Sequence, residues 1–131
     1  MSGELILIVE DNEKNMKLVR DVLAFNGYET VEATTAEEGI EIARAKRPAL
    51  ILMDIQLPGM DGVAALESLR AEPVTKGIPA IAITASAMSG DQQRILKAGF
   101  DGYQAKPIRV REFVEEVRRI LGSDSQTKGN G

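Results

Sequence analysis

Cysteine, histidine and tryptophan are all absent from this sequence of 131 residues. Without cysteine and histidine the chain can form no disulfide, no thiolate nucleophile and no Ser-His-Asp triad, and nearly all zinc sites are excluded. A bound metal would have to be a hard cation held by oxygen ligands. No apolar run approaches the roughly 20 residues of a spanning helix, and no secretory signal is visible. We therefore expect a cytoplasmic protein with no membrane insertion.

Neither charge sign is in large excess, since 16 Lys and Arg against 20 Asp and Glu give a net charge of −4. An acidic domain of this kind is a poor general ligand for nucleic acid. The length suits one domain with its own apolar core. We predict this domain over 1–121, followed by a polar, low-complexity and disordered tail over 122–131.

Short apolar segments alternate along the chain with segments of helical periodicity. The predicted strands are Leu5–Val9, 28–33, 50–53, 80–83 and Gly102–Ala105. The first, third and fourth predicted helices span 15–26, 63–71 and Ser89–Ala98. The second begins after a capping box made by Thr35 and Glu38 and is ended by Pro48. An apolar stripe over 110–121 predicts the fifth helix. Apolar strands alternating with helices indicate an α/β fold: a parallel sheet with helices on both faces.

Polar side chains follow four of the five predicted strands. Glu10 and Asp11 follow the first strand, Asp54 the third, Thr84 the fourth and Lys106 the fifth. Ligand sites of parallel sheets lie beyond the carboxyl ends of the strands, so we expect these groups to converge. Three carboxylates and one ammonium group carry a formal charge of −2, which one divalent cation would neutralise. The donor set favours Mg²⁺.

Such a site suits phosphoryl transfer. The Asp54 carboxylate could attack phosphorus to form an aspartyl phosphate, while Mg²⁺ and Lys106 supply positive charge and Thr84 a hydrogen bond. Each residue alone has a simpler explanation: Asp54 as a turn residue, Glu10 and Asp11 in a helix cap, Thr84 as a strand former, Lys106 as a solvated side chain. Their joint occurrence at the strand ends favours the functional interpretation. The Lys106–Pro107 bond is a candidate for the cis form.

Four motifs resemble those of the receiver domains of two-component response regulators. They are ILIVEDN at 6–12, LMDIQLPGMDG at 52–62, ITA at 83–85 and KP at 106–107. The resemblance covers about residues 4–121 and implies a CheY-like, flavodoxin-like (βα)5 fold with five helices and strand order 2-1-3-4-5. It also implies that Asp54 accepts a phosphoryl group from a phosphohistidine of a histidine kinase or a histidine phosphotransfer protein. The domain would then be no enzyme, since it would catalyse only its own phosphorylation and dephosphorylation.

Metal ligands carry over from the resemblance by position. Asp11 and Asp54 would bind Mg²⁺, with Mn²⁺ able to replace it, and Glu10 would bind directly or through water. The backbone carbonyl of Gln56 would be a further ligand. The first acidic position is Glu10 where many receivers have Asp, and the longer side chain would alter the distance to the metal.

A switch and an output surface also carry over. Thr84 and Lys106 would contact the phosphoryl oxygens, and Tyr103 matches the aromatic residue that turns inward as Thr84 moves. A downstream protein would bind the face made by the fourth helix, the fifth strand and the fifth helix. Gln56 and Ser86 occupy positions that tune the phosphoryl lifetime in this family. A partly buried aromatic at the sheet edge is the simpler interpretation of Tyr103.

Several alternatives remain at the level of sequence. Haloacid dehalogenase-like phosphatases need a second Asp two residues after the nucleophile, where this chain has Gln56. A flavin-binding domain of the same fold needs a phosphate-cradling loop after the first strand, where Glu10 and Asp11 would repel phosphate. We expect a standalone regulator, monomeric or weakly dimeric. A receiver domain cut from a hybrid histidine kinase, or a binding module that is not phosphorylated, are the other hypotheses.

Overall fold

The computed structural model describes residues 4–85 and 89–122. Its strands are β1 (Leu5–Val9), β2 (Glu29–Ala33), β3 (Leu50–Asp54), β4 (Ala80–Thr84) and β5 (Gly102–Ala105). Its α-helices are α1 (Glu13–Phe25), α2 (Ala36–Lys46), α3 (Gly62–Arg70), α4 (Ser89–Ala98) and α5 (Val110–Val117). All neighbouring strands are parallel, in the order β2-β1-β3-β4-β5. The predicted fold class and strand order are confirmed.

Both faces of the sheet are covered by helices, which explains why β1, β3 and β4 are apolar up to Asp54 and Thr84, the last residues of β3 and β4. Alternate residues of β1 point to opposite faces: Leu7 and Val9 lie in a first apolar cluster with α2, α3 and α4, whereas Ile6 and Ile8 lie in a second cluster with α1 and α5. Burying one such side chain contributes about 1.5–3 kcal/mol. The two clusters hold the strand ends in fixed positions.

Capping side chains set the starts of α1 and α2, and each differs in one respect from the prediction. α1 begins at Glu13, two residues early, because the Asn12 side chain accepts a hydrogen bond from the Asn15 N–H at 3.0 Å. Thr35 caps α2 as predicted and accepts from the Glu38 N–H at 3.1 Å. The Glu38 carboxylate, however, accepts from the N–H of Thr34 at 2.9 Å, one residue before the position that a capping box predicts.

The last helix differs in part from its predicted stripe. Phe113, Val117 and Leu121 are buried in the second cluster, but Val110 is 46% exposed. Val110 is the first residue of α5 and lies one turn before the first side chain that reaches the core. A π-helical turn over Arg118–Gly122 follows. The predicted disordered tail lies outside the described residues, except for Gly122, which ends this turn.

The last residues of the central strands lie side by side. Val9 pairs with Met53, Asp54 with Ile83, and Thr84 with Ala105. The residues at or just after these positions therefore share one edge of the sheet. We call this edge the carboxyl rim. The predicted site residues at the strand ends all lie on it.

Candidate functional site

Asp54 occupies the middle of the carboxyl rim. It is the last residue of β3, and it is only 2% exposed because β1 and β4 lie on either side. Its Oδ1 accepts a hydrogen bond from the Gln56 N–H at 2.9 Å, and its Oδ2 lies 3.0 Å from Lys106 Nζ. Both carboxylate oxygens are thus oriented by neighbouring groups.

Lys106 joins β5 to the two central strands. Its N–H donates to the Thr84 carbonyl at 2.8 Å, and the peptide bond to Pro107 is cis. Its ammonium group contacts Asp54 and also lies 3.4 Å from Glu10 Oε1. Burial alone would lower the pKa of Lys106, but the hydrogen bond and charge of Asp54, then those of Glu10, raise the pKa above its usual value. The ammonium group therefore stays protonated at neutral pH.

Two further carboxylates follow β1. Glu10 is buried and its Oε2 accepts from the Asn12 N–H at 3.1 Å, whereas Asp11 is exposed. Burial, and then the charge of Asp54, raises the pKa of Glu10 above its usual value, although the Asn12 N–H and Lys106 act in the opposite direction. Carboxylate oxygens of Glu10, Asp11 and Asp54 lie within 4.8 Å of one another. We call these three residues the carboxylate cluster.

The carboxylate cluster fits a hard divalent cation. Oxygen ligands at this spacing suit Mg²⁺, which takes one or two carboxylates together with waters and phosphate oxygens. The cluster carries three formal negative charges, and Lys106 offsets one of them. Two buried acids at this distance oppose each other's ionisation, and a bound cation would remove that opposition.

The remaining predicted residues lie around this centre. Thr84 is buried at the end of β4, beside Lys106. Gln56 is exposed, and its side-chain oxygen lies 3.4 Å from the Ala85 N–H. Tyr103 is half-buried in β5, opposite Ala82, and packs against the first cluster. Ser86 lies outside the described residues.

Gly62 is a residue of the site to which the sequence analysis assigned no role, since the predicted third helix begins at 63. It is the first residue of α3, and a Cβ there would come within 2.6 Å of the Asp54 carbonyl oxygen and 2.9 Å of Ile55 Cα. Only a glycine lets α3 start this close to the end of β3. A glycine directly before an apolar helical pattern is the sequence signal for such a contact.

Open space lies on both sides of the carboxylate cluster. A cavity of about 370 Å³ beside Asp11 is also lined by Lys17, Arg20 and Thr34. A second cavity of about 270 Å³ lies beside Lys106 and is lined by Gln104 and other residues of the β5–α5 segment. A reacting group can therefore approach the rim from solvent. Across the described ranges 4–85 and 89–122, every helix is too short or too polar to cross a membrane.

Comparison with known proteins gives one consistent result. The family model for the response regulator receiver domain matches residues 6–118. The chain is 46% identical over 117 residues to the polar-differentiation response regulator DivK of Brucella anthropi, which covers 89% of this chain and 95% of that protein.

Solved structures agree with the sequence match. The receiver domain of a sensor histidine kinase from Pseudomonas aeruginosa, which has a magnesium ion coordinated in its active site cleft, superposes with a TM-score of 0.85 at 35% identity. That match covers 92% of this chain and 99% of the other. A CheY-like response regulator receiver domain protein from Methanospirillum hungatei gives a TM-score of 0.85 at 34% identity, covering 98% and 99% of the two chains.

Proposed function

Since the chain belongs to the response regulator receiver domain family of two-component systems, we propose that Asp54 is the residue that accepts the phosphoryl group. The observation that carries this proposal is the environment of its carboxylate. Asp54 is buried, both of its oxygens are oriented by neighbouring groups, and two further carboxylates lie within 4.8 Å. The proposed donor is a phosphohistidine of a histidine kinase or a histidine phosphotransfer protein.

The proposed cofactor is Mg²⁺, with Mn²⁺ able to replace it. Asp11, Asp54 and Glu10, together with the backbone carbonyl of Gln56, would hold the ion. The charge and oxygen-rich composition of the carboxylate cluster support this assignment. When bound, the ion supplies positive charge that offsets the charge of the incoming phosphoryl group. The Pseudomonas aeruginosa relative with its coordinated magnesium ion is consistent with it.

In the proposed reaction an oxygen of the Asp54 carboxylate attacks phosphorus. The bond between phosphorus and the imidazole nitrogen breaks, and its electron pair returns to the imidazole. Lys106, already 3.0 Å from Asp54 Oδ2, would neutralise charge on the phosphoryl oxygens, and the Thr84 hydroxyl would donate a hydrogen bond to one of them. The domain would catalyse only this reaction and the later hydrolysis of its own aspartyl phosphate.

Phosphorylation would then change the charge balance that holds Lys106. The new group adds about −1.5 to −2 charges, by analogy with other phosphoresidues. Lys106 is bonded through its N–H to Thr84, so a shift of one residue displaces the other. Tyr103, three residues before Lys106 in β5, would respond as the switch aromatic. A downstream protein would read the change on the output face, which consists of α4, β5 and α5.

The proposed chemistry also indicates the compartment in which the domain acts and the kind of partner that it contacts. We place the reaction in the cytoplasm, where histidine kinases form phosphohistidine from ATP. The proposed output is a protein–protein contact and involves no direct contact with nucleic acid, in keeping with the net charge of −4. In solution we expect a monomer or a weak dimer.

Intact-mass spectrometry after incubation with acetyl phosphate tests the assignment. We expect one phosphoryl adduct that requires Mg²⁺, and no adduct with Asp54→Asn. Asp61→Asn is the matched control, because Asp61 is an exposed carboxylate that caps α3 and Asn can keep that cap. An undiminished adduct on Asp54→Asn contradicts the proposal. So does the absence of any adduct from both acetyl phosphate and a phosphorylated histidine donor.

A further inference from the structure

Arg70 binds three main-chain carbonyl groups that come from two segments of the chain. It is the last residue of α3, and its side chain is only 22% exposed. Its Nη1 donates to the carbonyls of Lys76 at 3.0 Å and Ile78 at 2.6 Å, and its Nη2 donates to that of Gly99 at 3.1 Å. One guanidinium group therefore joins the end of α3, the approach to β4 and the end of α4.

Asp101 completes this arrangement. Its carboxylate lies 3.5 Å from Arg70 Nη2 and accepts a hydrogen bond from the Ala80 N–H at 2.9 Å. The Asp101 N–H in turn donates to the Ala80 carbonyl at 2.7 Å. We call Arg70, Asp101 and their main-chain partners the Arg70 cluster. Because Ala80 is the first residue of β4, the Arg70 cluster lies at the edge of the sheet opposite the carboxyl rim.

The carboxyl end of α4 is fixed by packing as well as by Arg70. Gly99 has a φ of +112°, and a Cβ there would lie 3.3 Å from Arg70 Nε, so glycine leaves room for the guanidinium group. Ile95 is fully buried and Phe100 is nearly so. Over the described side chains from 92 to 97, the rest of the helix surface is exposed or half-buried. These contacts hold α4 near the segment that leads into β5.

The two ends of α4 thus lie in different surroundings. Its amino end, Ser89, comes five residues after Thr84 in the chain, and its carboxyl end meets the Arg70 cluster at the edge of the sheet opposite the carboxyl rim. Building on the proposed phosphorylation of Asp54, we propose that Arg70 is a positioning residue for the response to it. Arg70 fixes the carboxyl end of α4, so that a shift at Thr84 tilts the helix about that end and thereby reshapes the output face.

An arginine is suited to this role and a lysine is not. The planar guanidinium group has five N–H donors in a fixed arrangement, which lets it serve several carbonyl acceptors at once. An ammonium group on a flexible stem keeps the charge and the packing of the stem but does not reproduce that geometry. Arg70→Lys is therefore a mild variant that weakens the cluster with little change in volume or charge.

Hydrogen exchange measured by mass spectrometry, before and after phosphorylation with acetyl phosphate and Mg²⁺, tests this role on the full chain. In the wild type we expect phosphorylation to change exchange in the first turn of α4 and to leave residues 96–101 unchanged. In Arg70→Lys and Arg70→Ala we expect residues 96–101 to exchange about tenfold faster before phosphorylation, as the loss of hydrogen bonds to a charged group implies. The change on phosphorylation should then extend to these residues, with the same yield of adduct.

Arg44→Ala is the matched control, because Arg44 also pairs with an acidic residue near the end of α3 but has no contact with α4 among the described bonds. A response that stays confined to the first turn of α4 in Arg70→Lys overturns the proposal. Faster exchange throughout the sheet also overturns it, because Arg70 would then stabilise the whole fold. If the wild type forms no adduct, the proposed function and the switching role of Arg70 both fail. Hydrogen exchange of residues 96–101 in the unphosphorylated variants then tests only whether Arg70 anchors the carboxyl end of α4.

Discussion

The Lys106 ammonium group lies 3.0 Å from the Asp54 carboxylate and 3.4 Å from that of Glu10. A cation just after β5 thus balances two buried acids, one at the end of β3 and one just after β1. Removing one member of such a group leaves a buried charge without compensation, which costs more than the net stabilisation that the intact pair provides. The stability of the fold should therefore change both when Lys106 is lost and when a metal ion binds.

Replacing Lys106 with methionine should lower the free energy of unfolding by about 2–4 kcal/mol in EDTA, since two buried carboxylates lose their counter-charge. Mg²⁺ should restore more stability to this variant than it adds to the wild type, because the variant site is more negative. Urea denaturation with and without Mg²⁺ measures both effects. Lys97→Met, at an exposed lysine of α4, is the control. Equal losses of stability in the two variants would show that Lys106 does not offset the charge of the buried carboxylates.

Asp11→Asn should remove the stabilisation by Mg²⁺ while changing the stability of the metal-free protein little, because Asp11 is exposed. A ligand at about 100 times its Kd stabilises the folded state by about 2.7 kcal/mol, so the wild type should show a clear rise in Tm. Thermal denaturation over a series of Mg²⁺ concentrations measures this. Glu13→Gln, outside the carboxylate cluster, should keep the full rise. A rise that survives in Asp11→Asn would remove this residue from the ligand set.

Gly62→Ala should both destabilise the fold and slow phosphoryl acceptance. The added Cβ would approach main-chain atoms of Asp54 and Ile55, which cannot move aside as a flexible side chain can. Overpacking of this kind costs about 1–3 kcal/mol. Gly77→Ala is the control, since a Cβ there meets no atom within 4 Å. Denaturation and the rate of adduct formation are measured in parallel for both variants. A Gly62→Ala variant that matches the wild type in stability and in rate, as Gly77→Ala should, would refute the expected contact.

The ion pair between Arg44 and Glu72 predicts a pH dependence with a definite sign. Arg44 Nε lies 2.9 Å from Glu72 Oε1, and this hydrogen bond lowers the pKa of Glu72 below its ordinary value of 4.5. The unfolded chain thus takes up a proton at higher pH than the folded one. The stabilisation is present above the unfolded pKa and is lost as the pH falls through the folded pKa.

Urea denaturation of the wild type and Glu72→Gln over a range of pH tests that sign. The wild type should be the more stable at neutral pH, and the difference should vanish in acid. Because the Arg44 side chain is exposed and that of Glu72 is only half-buried, the difference should also shrink at high salt. If the difference in stability grows toward acidic pH, Glu72 stabilises the fold through an interaction other than its ion pair with Arg44.

Much of the fold could be predicted because the strands carry an unambiguous pattern. β3 and β4 are buried at all five positions, so their sequences are apolar until the rim is reached, and the first polar residue marks the end of the core. In parallel strands these ends meet, which is why Asp54, Thr84 and Lys106 could be grouped from sequence alone. The roles assigned to Gln56 and Tyr103 came from the family resemblance and stay predictions.

Contacts made to the main chain could not be predicted in this way. The partners of Arg70 are carbonyl oxygens of Lys76, Ile78 and Gly99, and a carbonyl is present at every residue, so no pattern of side chains identifies them. Val110 shows a related limit: its spacing fits the apolar stripe, but only the position of the helix end relative to the core decides its exposure. Helical periodicity gives the face of a helix and does not give the point at which the face meets the sheet.

The strand order also has a consequence for the nascent chain. β1 pairs with β3, so the carboxylates of Glu10 and Asp54 would come together once these two strands have left the ribosome and paired. Lys106 is synthesised much later, at the end of β5. A chain arrested after β4 would have to keep these acids hydrated or protonated, or recruit a cation from solution. Cotranslational folding of the rim should therefore reach completion only when the fifth strand has emerged.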